Sequence, residues 1–232
     1  MGEAADPARE AAAAAALDRI EDGMTLGLGS GRAVWRLMEL IGEIRSGRPR
    51  LRAAFASDRT AELGRRVGIE PVELDGRTRL DLAIDGADEV DPDLGLIKGG
   101  GAALLREKLV VSAADRFLVV AEARKRVDRL GSGFKLPVEV VRFAWPDTQR
   151  RLLELVAGAD LRSEDDGSPV VTDEGHHLLD CGVPPEGDLR RLGEAIKATV
   201  GVVEHGLFLD LADEALLGRD DGQVDVLLRG GG

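Results

Sequence analysis

The strongest constraint on this chain is a rhythm. Apolar runs of about five residues each end in a polar or glycine-rich corner, and helical patterns alternate with them. Met24–Leu28 stops at Gly29-Ser30-Gly31, ahead of a helix over Ala33–Ile44 whose Val34, Leu37, Met38 and Ile41 share one face. Leu51–Phe55 reads as a strand, Thr60–Val67 as a helix and Leu80–Ile84 as a strand. Ala102–Ala114 reads as a helix and Phe117–Ala121 as a strand, and an Ala-rich helix over Pro7–Arg19 precedes them all. This alternation predicts an α/β fold, a mostly parallel sheet with helices on both faces. Ligands of such sheets sit where strand C-termini meet helix N-termini, so the corners are where chemistry is expected.

After Gly131-Ser132-Gly133 the rhythm changes. Pro137–Val141 reads as a strand, Asp147–Ala157 as a helix, Val170–Thr172 and His177–Asp180 as a hairpin around Asp173-Glu174-Gly175, and Leu189–Ala198 as a second helix. That order predicts a smaller α+β domain. Leu207–Leu209, Ala215–Leu217 and Val224–Leu228 are apolar pieces able to return to the first sheet. The expected division is an α/β catalytic domain over 1–131, with a return segment at 207–232, and a small α+β domain over 132–206.

Charge narrows the partners. The 232 residues carry 31 Lys+Arg against 43 Asp+Glu, a net charge of −12. An acidic surface does not suit nucleic acid or an anionic membrane, and five Phe, two Trp and no Tyr supply few stacking platforms. No apolar run approaches the ~20 residues of a membrane span. The start of the chain lacks the basic and apolar regions of a signal peptide, so a soluble, cytoplasmic protein is expected. A single Cys181 excludes an intrachain disulfide and a multi-cysteine metal site. His176, His177 and His205 lack metal-ligand spacing and read as structural or surface, and Trp35 and Trp145 as packing residues. Of the basic residues 26 are Arg and only five are Lys: Lys98, Lys108, Lys125, Lys135 and Lys197. In a chain that writes Arg for a surface cation, each Lys invites a question about function.

Three corners follow strands. Gly27-Leu28-Gly29-Ser30-Gly31-Arg32 is neither a dinucleotide fingerprint, because Arg32 replaces the third glycine, nor a Walker loop. It leaves a tight turn whose amides face an anion at a helix N-terminus, or a plain strand-to-helix turn. Asp85-Gly86-Ala87-Asp88-Glu89 offers two carboxylates three apart, suited to holding hydroxyls or moving protons; an acidic solvated loop is the alternative, and the EF-hand pattern fits in no register. Lys98-Gly99-Gly100-Gly101 leads into a helix carrying Arg106, Glu107 and Lys108. At about 100° per residue these three point in different directions. A carboxylate facing the apolar side is desolvated and its pKa raised, as suits a general base. Pairing of Glu107 with a neighbouring cation is the other reading.

The blocks GLGSG (27–31), ASD (56–58), DGADE (85–89), KGGGAALLREK (98–108), VVAEARKRVDRLG (119–131), LPVEV (136–140) and VTDEG (171–175) together resemble the A-type ribose-5-phosphate isomerase family, from the first helix to near residue 218. The resemblance implies a homodimeric or homotetrameric enzyme that interconverts ribose 5-phosphate and ribulose 5-phosphate through an enediol(ate), with no metal or cofactor. It places the catalytic base on Glu107 and the hydroxyl-holding, ring-opening pair on Asp85 and Asp88, around Gly86 and Ala87. It also implies that Lys98, with the amides of Gly99, Gly100 and Gly101, stabilises the enediolate oxygen, and that Lys125 binds near the phosphate. The family's phosphate corner reads Thr-Gly-Ser-Thr; here it is Ser30, Gly31, Arg32 and Ala33, so hydroxyls are lost and a guanidinium gained. The family's basic residue of the first helix falls on Arg9, and its Ser before the lysine is Arg124. Two alternatives stand beside this reading: a non-catalytic sugar-phosphate sensor, and an isomerase of another aldose phosphate.

Overall fold

The computed structural model describes residues 6–44 and 51–230. Helix α1 (Pro7–Leu17) is followed by β1 (Thr25–Leu28), α2 (Arg32–Ile44), β2 (Arg52–Phe55), α3 (Asp58–Val67), β3 (Glu70–Pro71) and β4 (Leu82–Asp85). Two short strands, β5 (Glu89–Val90) and β6 (Leu96–Ile97), precede α4 (Leu104–Ser112) and β7 (Phe117–Glu122). Then come β8 (Leu136–Val140), α5 (Trp145–Leu152), β9 (Ala159–Leu161), β10 (His177–Cys181), α6 (Leu189–Lys197) and β11 (Val202–His205). The chain closes with β12 (Leu207–Phe208), β13 (Glu214–Gly218) and β14 (Val224–Leu228).

The main sheet has the order β14-β13-β7-β4-β1-β2-β3, parallel except for the β13–β14 pair. Alternate residues of its central strands enter two different cores. Leu26, Leu28, Leu82, Ile84, Leu118, Val120 and Leu216 face α1 and α2, whereas Ala83, Val119, Ala121, Ala215 and Leu217 face Val111 of α4 and Phe208. Burial on both sides explains why these strands read as unbroken apolar runs. The Ala run of α1 has a steric reason as well. A methyl on Gly218 would lie 1.8 Å from the Ala8 carbonyl oxygen, and Ala8, Ala12, Ala13 and Ala16 are all buried, so only small residues let this helix approach β13 and β7 so closely.

Strand order reverses at β1, whose neighbours are β2 on one side and β4 on the other. This is the switch point where a crevice opens beyond the strand ends. Leu28 pairs with Ile84, so the Gly29–Gly31 and Gly86–Asp88 corners emerge side by side.

A second, antiparallel sheet of order β11-β8-β10-β9 packs Leu136, Val138, Val140 and Leu179 against Leu152 of α5 and Ile196 of α6. A three-stranded sheet, β12-β6-β5, completes the fold. The α/β class and the smaller α+β unit stand as the alternation predicts, with local corrections. The helix expected from Ala102 begins at Leu104, because Ala102 takes a left-handed φ of 60° and turns the chain back on Gly99. The helix expected over 147–157 spans Trp145–Leu152, with Pro146 in its first turn. The hairpin is not formed as expected: β10 pairs with β8 and β9, while residues 172–176 close a tight turn through Thr172 N–H to the His176 carbonyl. Of the three returning pieces, Leu207–Phe208 pairs with β6 instead, and only β13 and β14 join the main sheet.

Candidate active site

The corners after β1, β4 and β6 wall a cavity of about 380 Å³. Ser30, Gly31, Arg32 and Ala33 line one side; Gly86, Ala87, Asp88, Lys98, Gly99, Gly100, Gly101, Glu107 and Lys125 complete it. Every residue expected from the sequence therefore reaches the cavity except Asp85. That carboxylate, 2% exposed, lies beneath the wall, where its Oδ1 accepts the Gly86 N–H at 2.7 Å. Its contact is Lys98, whose Nζ lies 2.9 Å from Asp85 Oδ2.

Glycine is required at two of the corners. A Cβ on Gly29 would fall 1.8 Å from Asp85 Cγ, and one on Gly100 would fall 2.6 Å from Asp88 Oδ1. The Gly100 N–H instead donates to Asp88 Oδ2 at 2.7 Å and ties the second corner to the third. Glu89, the last carboxylate of the DGADE block, points elsewhere. It is buried and accepts the N–H groups of Gly131, Gly133 and Phe134, anchoring that loop beside the cavity.

Successive residues of α4 part company as helix geometry requires. Arg106 leaves toward Asp58, Asp173 and Glu174. Lys108 turns to the opposite side, where its Nζ donates to Glu204 Oε1 and to the carbonyls of His205 and Leu207. Glu107 alone faces the crevice; it is 3% exposed, with Oε2 3.3 Å from Lys98 Nζ. Both sequence readings of Glu107 hold together: it is desolvated and it is paired. Burial, reinforced by Asp85 and opposed by Lys98, pushes its carboxyl up to about 8. Burial also raises Asp85, against the pull of Lys98. The Lys98 ammonium loses solvation to burial, yet Asp85 and Glu107 together hold its pKa above the ordinary lysine value. Lys98 Nζ also donates to the Gly86 carbonyl at 2.6 Å, which fixes its direction.

Two further cations line the cavity, Arg32 and Lys125. Arg32 is the first residue of α2, whose N-terminus faces the same space. Lys125 Nζ donates to the Ala87 carbonyl at 2.6 Å and sits 3.2 Å from Glu122 Oε2. Glu122, Trp35 and Phe134 also line the cavity and were not expected there. Glu122 ends β7, buried, with Arg9 Nε at 3.1 Å and Arg124 Nη2 at 3.2 Å. Burial raises its pKa, but Lys125 and Arg124 outweigh that and hold it low. The sequence signal for it is the Glu-x-x-Lys spacing to Lys125, legible only once β7 is known to end at the crevice. Trp35 combines packing with lining: its Nε1 donates to Thr60 Oγ1 at 2.9 Å, and the Arg59 guanidinium stacks 3.7 Å from the ring centre. His177 and His205 sit on strands of the small sheet and His176 directly precedes β10, all outside the cavity. Cys181 is a buried core thiol, raised to about 12 mainly by that burial. Among the described residues, no group of three or more His, Cys, Asp or Glu side chains is placed to hold a metal ion. No described helix is long and apolar enough to cross a membrane.

A switch-point crevice that joins a desolvated carboxylate and ammonium with further cations and a helix N-terminus defines an α/β enzyme of small phosphorylated substrates. The comparisons make the class specific. Residues 53–222 match the ribose 5-phosphate isomerase A (phosphoriboisomerase A) family, and the chain belongs to that family. A relative from Cereibacter sphaeroides named ribose-5-phosphate isomerase A is 46% identical over 229 residues, covering 95% of this chain and 87% of the relative. Ribose 5-phosphate isomerase from Plasmodium falciparum superposes with a TM-score of 0.91 at 30% identity, covering 97% of this chain and all of that one. A D-ribose-5-phosphate isomerase in complex with phospho-erythronic acid superposes with a TM-score of 0.89 at 36% identity, covering 95% and 97% of the two chains.

Proposed function

We infer that this crevice performs the isomerisation of its family, ribose 5-phosphate to ribulose 5-phosphate and back, with Glu107 as the base that moves the proton. Glu107 takes the proton from C2 of the open-chain aldose. The electron pair left on C2 forms the C1–C2 double bond, and O1 takes up negative charge as the enediolate. Lys98 faces that charge with its ammonium, a preorganised electrostatic role. Asp88, half-buried on the wall, relays the proton from O2 to O1. Glu107 then returns its proton to C1 as the carbonyl forms at C2. The phosphate lies against Lys125, Arg32 and the α2 amides. Asp85 acts from beneath by holding Lys98.

The observation that carries this reading is the placement of Glu107: it is buried, on the cavity wall, and 3.3 Å from Lys98. A carboxylate held up to about 8 is a base matched to neutral or mildly alkaline pH. The deciding experiment is turnover of ribose 5-phosphate by the wild type and by Glu107→Gln. An inactive wild type that still binds sugar phosphates refutes catalysis, and a variant with full rate removes Glu107 from the role.

The same reading assigns catalysis to residues 1–131 with 207–232 and a supporting role to 132–206. It places the enzyme in the cytoplasm as a homodimer or homotetramer. Exposed apolar side chains favour association: Phe143 is 89% and Val200 75% exposed on the small unit. Light scattering on the purified protein tests the assembly.

A further inference from the structure

Arg106, the residue before Glu107, is gripped by a turn of the small unit. Its Nη1 lies 2.7 Å from Asp58 Oδ1 and 3.2 Å from Asp173 Oδ2, and its Nε donates to Glu174 Oε1 at 2.6 Å. Asp173 reaches α3 as well, since its Oδ2 accepts the N–H of Asp58, the first residue of that helix, at 3.0 Å.

The turn is braced from behind. Thr172 Oγ1 donates to Glu139 Oε1 at 2.9 Å, and His176 Nδ1 meets the same oxygen at 2.9 Å. Glu139, on β8, is 1% exposed, so the brace is rooted in the small sheet rather than in solvent. A second line of contacts runs from α3 to the first corner. Ser57 caps α3, its hydroxyl is 2.9 Å from Thr60 Oγ1, and Thr60 Oγ1 donates to the Gly29 carbonyl at 3.1 Å. The turn thus touches α4 one residue from Glu107 and α3 two residues before the side chain that holds the Gly29 corner.

Stability alone does not account for this arrangement. Exposed ion pairs contribute only about 0–1 kcal/mol each, and three carboxylates around one guanidinium repel one another in a chain already strongly acidic. What the arrangement does fix is the depth and rotation of the first turns of α4. We propose that the 172–175 turn, acting through Arg106, is a strap that holds α4 where Glu107 meets Lys98, and so sets the geometry of proton transfer rather than substrate affinity. Arg106, Asp173 and Glu174 are positioning residues. The proposal rests on Glu107 being the base.

The test is a kinetic split on the intact protein, with ribose 5-phosphate as substrate. Arg106→Gln and the double substitution Asp173→Asn/Glu174→Gln are expected to lower kcat roughly tenfold with little change in KM, because small misplacements of a catalytic group cost rate steeply. The acid limb of the kcat profile should move to lower pH in both, since a loosened α4 lets water reach Glu107 while Asp85, Asp88 and Lys98 still face it. Arg106→Lys should recover only part of the rate, because an ammonium cannot engage three carboxylates in a planar fork. Asp210→Asn, which breaks the exposed pair with Arg190 away from the crevice, should keep the wild-type rate. If Arg106→Gln fails to fold, the turn double variant still decides, because its positions are at the surface. Unchanged kcat and pH profile in that folded variant overturn the strap, and so does a rise in KM with kcat intact. If Glu107→Gln keeps full rate, the base assignment fails instead, whatever the strap variants show.

Discussion

Lys98 Nζ stands 3.3 Å from Glu107 Oε2 with both side chains almost wholly buried, and the same ammonium is 2.9 Å from Asp85 Oδ2. One cation is thus shared by two carboxylates out of reach of bulk water. Two negative charges against one positive leave a net charge that burial penalises. The cluster relieves this by holding a proton on Glu107 well above the usual carboxylate range, and the catalytic behaviour follows from that proton.

Glu107→Gln should lower kcat by at least about 10²-fold, the ordinary contribution of a positioned general base. In the wild type the base works only when ionised. Activity should therefore fall as pH drops through about 8, with kcat/KM reporting the free enzyme. A profile flat from pH 6 to 9 would contradict this environment for Glu107.

The same substitution should stabilise the fold at alkaline pH. A carboxyl whose pKa rises from 4.5 in the unfolded chain to about 8 in the fold binds a proton more tightly when folded. Its burial therefore destabilises progressively as pH rises through that window. The Tm advantage of Glu107→Gln should be near zero at pH 4.5 and grow toward pH 9. Thermal melts across that range check the sign.

Lys98→Gln leaves Asp85 and Glu107 buried without their shared cation. Breaking such a pair costs about 3–5 kcal/mol, so a marked fall in Tm is expected. Any residual activity should show its acid limb at higher pH than the wild type, because Lys98 is the group that pulls the Glu107 pKa down. Residual-rate profiles separate this outcome from simple unfolding.

Gly29 and Gly101 should respond oppositely to alanine. At Gly29 the new methyl would overlap Asp85, whereas at Gly101 nothing lies within 4 Å. Gly29→Ala should unsettle Asp85 and Lys98 together and lower both Tm and kcat. Gly101→Ala should melt at the wild-type temperature.

Arg32→Ala should raise KM for ribose 5-phosphate roughly tenfold or more, the worth of one or two charge-assisted contacts to phosphate. It should leave kcat nearly intact, because the proposed role of Arg32 is to hold the phosphate rather than to move the proton. A fall in kcat at constant KM would instead place Arg32 in the chemistry. Steady-state kinetics at fixed ionic strength distinguishes the two.

Much of this was legible in the chain. Unbroken apolar strands, the glycine corners behind them and the long DGADE and KGGGAALLREK blocks determine the class, the family and the neighbourhood of the site, because each depends on local pattern. The failures also have physical causes. The 170–172 segment reads as a strand by composition, yet β10 finds its partners 18 to 45 residues away in β9 and β8, which no local pattern announces. Glu122 looks like any strand-end acid until β7 is seen to finish at the cavity. Asp85 and Asp88 are equivalent in sequence, but register drops Asp85 below the wall and leaves Asp88 on it. Arg106, Glu107 and Lys108 are consecutive and all charged, and the sequence determines only that they diverge. Which of them turns inward, loses water and gains a base's pKa was decided by what packs around α4: Lys98 and Asp85 on one side, the 172–175 turn on another, β11 and β12 on the third. Desolvation is a property of that assembled surrounding, and no residue carries it alone.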